Sequence, residues 1–193
     1  MRPAHHLHPG ELVAGATLEE PGYSYIPRLS ADGAVGVADA GDVGARVGTS
    51  LGGVDAGAHA RVYLARRFDL TVLGDYAFAG LGDFETNQPI IAAARLGVSP
   101  NRRDEIFYGG IQSFASWGDT TEDRVIALGA YAGGELFETD QFAVQLELSY
   151  APLARRYPSP NSTADAPYFH FEPTYFRGGI GVQWFPGRRA EGR

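Results

Sequence analysis

The chain contains no cysteine, which removes disulfides, thiolate metal sites, cysteine nucleophiles and a lipid-modified cysteine anchor together. It also has no stretch approaching the roughly 18 consecutive apolar residues of a membrane-crossing helix. Its first residues, MRPAHHLHPGEL, lack the pattern of a secretory signal peptide. The expectation is a protein that is not exported, or a mature form with an added Met1. Charge is sparse, at 20% of residues, and 16 basic against 23 acidic side chains leave a net −7. Basic pairs occur but no basic stripe, which argues against broad nucleic-acid binding. Sustained helical periodicity is absent as well.

What is present is glycine (26), tyrosine (10) and phenylalanine (11) in 193 residues. That length fits one domain with a sizeable core or a closed barrel, and the composition suits an all-β chain. Residues 55–65, DAGAHARVYLA, show why. Ala56, Ala58, Ala60, Val62 and Leu64 alternate with Asp55, Gly57, His59, Arg61 and Tyr63, the period of two of a strand between two environments. Residues 42–51 repeat the pattern, and the two runs meet at the turn signal Gly52-Gly53, so they read as a hairpin.

The same alternation continues through about ten strands. The first starts at Glu11, the second covers about 28–37, and the fifth covers 68–78. The sixth starts at Ile90 and carries Arg95 on its polar face. The seventh, 105–117, is aromatic and ambiguous in phase, with a glycine bulge expected at Gly109-Gly110. The eighth covers 124–136. The ninth is the cleanest, with Phe142, Val144, Leu146, Leu148 and Tyr150 opposite Gln141, Gln145, Glu147 and Ser149. Residues 152–167 read as the longest loop and 168–185 as the last strand. Residues 1–10 read as a polar tail, 11–185 as the barrel domain and 186–193 as a C-terminal tail. His5, His6 and His8 lack the carboxylates or regular spacing of a metal site, so the N-terminal tail is expected to be disordered.

Loop length sorts the strand ends. Connections near 19–27, 79–88, 117–123 and 152–167 are long and share one end with the tight turn at 52–53. Those near 38–41, 66–67, 100–104 and 138–140 are short and share the other end. Short turns at one rim, longer loops at the other and an even number of alternating strands form the signature of a closed, antiparallel, up-and-down transmembrane β-barrel. A mean hydropathy of −0.18 does not exclude one, because half of each strand faces a polar lumen.

On these features the chain resembles the bacterial outer-membrane β-barrel family. The most specific resemblance is at the C-terminal end, where Arg177, Gly179, Val182 and Trp184, with Phe185 adjacent, match the closing signal read by that family's assembly machinery. One departure is that residues 186–193 extend past the usual aromatic end. The resemblance implies an outer-membrane location with periplasmic termini, and contact with membrane lipid and the barrel assembly machinery. Another envelope protein is a further candidate partner, and no nucleic acid, cofactor or metal is expected. A soluble lipocalin-like barrel, with its apolar face turned inward around a ligand, is the alternative. The abundance of glycine with a few large charged groups on the less apolar face favours a narrow lumen.

On the barrel reading, the lumen collects Arg28, Asp32, Asp42, Arg46, His59, Arg61, Asp69, Asp75, Arg95, Glu147 and Arg177. Charges of both signs must pair there, forming either a plug that stiffens the barrel or a narrow, charge-lined pore. The family also includes rim proteases and lipid deacylases. Asp83 and Glu85 in one outer loop, with His170 and Glu172 near the outer end of the last strand, are a weak echo of the protease arrangement. No Ser/His pairing at strand spacing suggests a deacylase.

Overall fold

The computed structural model describes residues 6–20, 27–50, 53–65, 67–79, 90–99, 106–117, 124–137, 139–157, 168–170 and 176–187. Nearly all are strand: β1 (Leu12–Glu20), β2 (Arg28–Val37), β3 (Gly41–Ser50), β4 (Gly53–Tyr63), β5 (Phe68–Ala79), β6 (Ile90–Val98), β7 (Phe107–Trp117), β8 (Arg124–Phe137), β9 (Phe142–Tyr157), β10 (Tyr168–His170) and β11 (Phe176–Trp184). Each pairs antiparallel with its neighbour in sequence, except that β10 and β11 both pair with the same side of β9. They lie end to end as one stave, so ten staves make the ring. β11 then pairs with β1, from Ala14↔Trp184 to Glu20↔Gly178, and closes it.

The sheet has opposite faces in the sense the alternation requires. Leu18, Val47, Val72, Ile111, Leu146 and Ile180 are among the large apolar side chains exposed on the outside. Arg61, Asp42, Asp69, Glu135 and Gln145 are buried inside. This is the inverse of the apolar-inward arrangement that the lipocalin-like alternative requires.

Several local expectations give way to packing. The ladders through Gly109 and Gly110 are regular on both sides of β7 (Gly97↔Gly110, Gly110↔Tyr131), so the expected bulge is absent there. β7 is ambiguous in sequence because the aromatics Tyr108 and Phe114 point inward, Phe114 packing on the buried Ala127 and Ala151. The register shifts lie elsewhere. One is between β4 and β5 beside Val54 and Asp55. The other is between β8 and β9, where Leu128↔Leu153 is followed by Ala130↔Tyr150. That second bulge carries Pro152. A proline has no N–H to give to a ladder, and at a bulge none is required. β9 therefore continues to Tyr157, where a loop from residue 152 was expected. The hairpin register is Ser50↔Gly53, which puts Gly53 in β4 and not in the expected Gly52-Gly53 turn; residues 51 and 52 lie outside the described residues.

The N-terminal segment differs most. Residues 6–10 were expected to be disordered, yet Leu7 is 2% exposed and packs with Val13, Ala34, Ala143 and Phe185 inside the short-turn mouth. An apolar side chain gains by leaving water wherever it finds apolar neighbours, and the inward ends of β1, β2 and β9 supply them.

Candidate functional site: the charged lumen

The interior is layered. Above the apolar cluster at the short-turn mouth lies a belt of buried polar groups. Arg61 donates from Nε to Asp42 Oδ2 at 2.6 Å and also pairs with it through Nη2, and both side chains are fully buried. Tyr63 donates its hydroxyl to the same carboxylate oxygen at 2.6 Å, and His59 Nε2 lies 3.6 Å from Asp42 Oδ1. Beside this, Asp69 accepts from Ser99 Oγ and from Thr71 Oγ1. Across the barrel a chain of donors runs from Gln183 to Gln145 (2.7 Å), to Tyr108 (2.7 Å) and to Glu147 (3.2 Å).

The next layer is richer in charge. Arg46 forks onto Asp75 through Nε (2.7 Å) and Nη2. Glu19 Oε2 sits among three guanidiniums, those of Arg177 (3.7 Å), Arg46 (3.8 Å) and Arg28 (4.0 Å). Arg28 also pairs with Asp55. Arg95 pairs with Glu147 at 2.8 Å and lies over the Tyr131 ring, 4.7 Å from its centroid. Inward glycine makes room for these groups, since a Cβ on Gly57 would collide with the Asp75 carboxylate. Between the pairs is a cavity of about 80 Å³, lined by Glu19, Asp32, Arg46, His59, Asp75, Arg95, Glu147 and Arg177 among others. A space of that size and polarity accommodates several water molecules.

The structure thus brings Arg28, Asp32, Asp42, Arg46, His59, Arg61, Asp69, Asp75, Arg95, Glu147 and Arg177 to one interior. It adds Glu19, Glu135, Tyr108, Gln112 and Gln183, together with Asp55 and Gln145, which the alternation already places on the polar faces of β4 and β9. Their signal was strand parity alone, because each lies an even number of residues from a recognised inward position or on a strand whose phase was uncertain. Of the protease-like candidates, Asp83, Glu85 and Glu172 lie outside the described residues. His170 is in β10, its backbone opposite Ala154. In β11, Arg177 and Gly179 are on the inward face, whereas Val182 and Trp184 are exposed outside. Phe185 turns into the apolar cluster, its N–H donating to the Gln141 carbonyl at 2.9 Å. Among the described residues no group of histidines and acids has the arrangement of a metal site.

No family model matches this chain, and no curated protein matches it. Among solved structures it is similar to one described as "De novo design of transmembrane beta-barrels", at 10% identity and a TM-score of 0.40, over 93% of this chain and 98% of that one.

Proposed function

We propose that this protein is a small outer-membrane β-barrel that serves as a structural element or a component of a membrane complex, its lumen filled by paired charges. The observation that carries the membrane reading is on the outer surface. Three strands each expose two aromatics eight positions apart: Phe68 and Tyr76, Phe142 and Tyr150, Phe176 and Trp184. Phe68, Phe142 and Trp184 lie at the short-turn end, and the other three lie toward the long-loop end. Every outward residue between each pair is apolar or glycine: Leu70, Val72 and Gly74; Val144, Leu146 and Leu148; Gly178, Ile180 and Val182. Two aromatic girdles bounding an apolar band are what a barrel needs where it meets two membrane interfaces.

The plugged reading is supported by the paired, buried charges of the lumen and by the apolar side chains packed at the short-turn mouth. The charge-lined cavity is what favours a narrow pore as the second reading. On the family resemblance, Arg177, Gly179, Val182 and Trp184 would be read by the assembly machinery. Refolding into phospholipid vesicles tests the main reading. The barrel is expected to float with the vesicles and to migrate differently on a gel before and after boiling, with no stable large conductance in a planar bilayer. Full solubility without detergent would overturn the membrane reading, and a stable large conductance would overturn the plug.

A further inference from the structure

The segment seated in the short-turn mouth, residues 6–10, is not part of the barrel wall. Leu7 fits among Val13, Ala34, Ala143 and Phe185, on the β9, β11, β1 and β2 side of the mouth. One residue earlier, the His6 ring stacks on Tyr63 of β4 at 3.8 Å, tilted by 9°, and its Nε2 lies 4.0 Å from the buried Asp69 of β5. Residues 6 and 7 therefore lie across the opening between β9 and β5. Leu7 N–H donates to the Tyr63 hydroxyl at 2.8 Å, and that hydroxyl in turn donates to Asp42. Gly10 N–H donates to the Gly36 carbonyl at 2.9 Å. The wall is shaped to receive the segment, because a Cβ at Gly36 would collide with the His8 carbonyl and press on Leu7.

We propose that residues 6–10 are a removable stopper that controls water access from the short-turn side to the charged cavity. The segment is fastened by the Leu7 side chain, the His6–Tyr63 stack, the approach of His6 to Asp69 and hydrogen bonds at Leu7, His8 and Gly10. None of these belongs to the ladders that close the ring, so it can leave while the ten staves stay paired. Regions with few such fastenings open locally without global unfolding. Once the segment is gone, the groups it touches, Ala143, Tyr63 and Asp69, face water, and Thr71, which donates to Asp69 and lines the cavity, is the next group inward. This rests on the plugged-barrel reading and names the part of the plug that moves.

The lack of native cysteine makes the test direct. Ala143→Cys reports on the ground beneath Leu7, and Thr71→Cys on the cavity wall. Each is made in the full chain and in a chain without residues 2–10, refolded in detergent and treated with a charged methanethiosulfonate. Removal of the segment is expected to speed labelling of both thiols by roughly tenfold or more, as covered sites react only through opening. Gly36→Leu in the full chain should do the same by displacing the segment, and it serves if the shortened chain does not fold. Equal rates with and without the segment would overturn the proposal. So would a thiol that stays protected in the Thr71→Cys variant under conditions where the Ala143→Cys variant has become reactive, which would make the polar belt the true seal. Vesicle flotation of the same preparations is read separately. A barrel that does not float but shows the labelling difference keeps the stopper and loses the membrane reading.

Discussion

Glu19 shows how the lumen manages its charges. One carboxylate faces Arg28, Arg46 and Arg177, while Arg46 uses its remaining donors as a fork on Asp75. A guanidinium divides itself between two acids in this way because its five donors are fixed in a plane, whereas an ammonium is a single point. All 16 basic residues of the chain are arginine. The same geometry makes the pairs dependent on one another. Arg61 and Asp42 are both fully buried, and an ion that loses its partner in such a place is left uncompensated. Asp42→Ala is expected to lower stability by about 3–5 kcal/mol, whereas replacing both residues with leucine should cost much less, since no buried charge is then stranded. Urea unfolding followed by the heat-modifiable gel shift measures both. Equal losses in the single and double variants would show that the cost comes from losing the pair itself and not from the stranded charge of Arg61.

At the scale of the strand, the two faces should respond oppositely to charge. Ala58 points outward in β4 beside Ala45 and Gly74, and Ala58→Arg is expected to cost about 2–4 kcal/mol in a bilayer, where the guanidinium lies far from either interface. On a water-facing surface the same change would fall within about 0.5 kcal/mol, so unfolding from vesicles discriminates the two. Period two made this face legible wherever each side of the strand meets one uniform environment, as in β2, β4, β8 and the first half of β9. It failed in β7, where the inward face carries the large apolar rings of Tyr108 and Phe114 while the outward face carries Gly109 and Ser113. It failed again at Pro152, because a bulge depends on the partner strand's register and not on local sequence. The contacts of Leu7 and His6 with Tyr63 join residues more than fifty positions apart, and nothing in the composition of the tail encodes them. The girdles were present in the sequence but concealed. Eight is a multiple of two, so Phe68 and Tyr76 look like any other members of one face until the strand ends fix their heights.

For the whole molecule those heights set a thickness. Eight residues of strand at ~3.4 Å each span about 27 Å along the chain, and a tilt of ~40° reduces this to about 21 Å between the girdles. A typical hydrocarbon core is about 30 Å thick. In such a bilayer the aromatic rings would be drawn below the headgroups, and polar groups of the rim with them, unless the lipids thin locally at a cost of a fraction of a kcal/mol for each Å. The alanines and glycines that run from Ala14 through Gly33, Ala45, Ala58, Gly74 and Ala92 to Ala115 on successive strands add little apolar surface to offset that cost. The barrel should therefore fold more completely in thin membranes. In vesicles of saturated ten- or twelve-carbon phosphatidylcholine, the fraction reaching the heat-modifiable form is expected to exceed that in eighteen-carbon unsaturated vesicles, at the same temperature and lipid ratio. An equal yield in both would mean that the girdles do not mark the membrane interfaces, and Phe142 and Tyr150 would then have to be explained by contact with another protein.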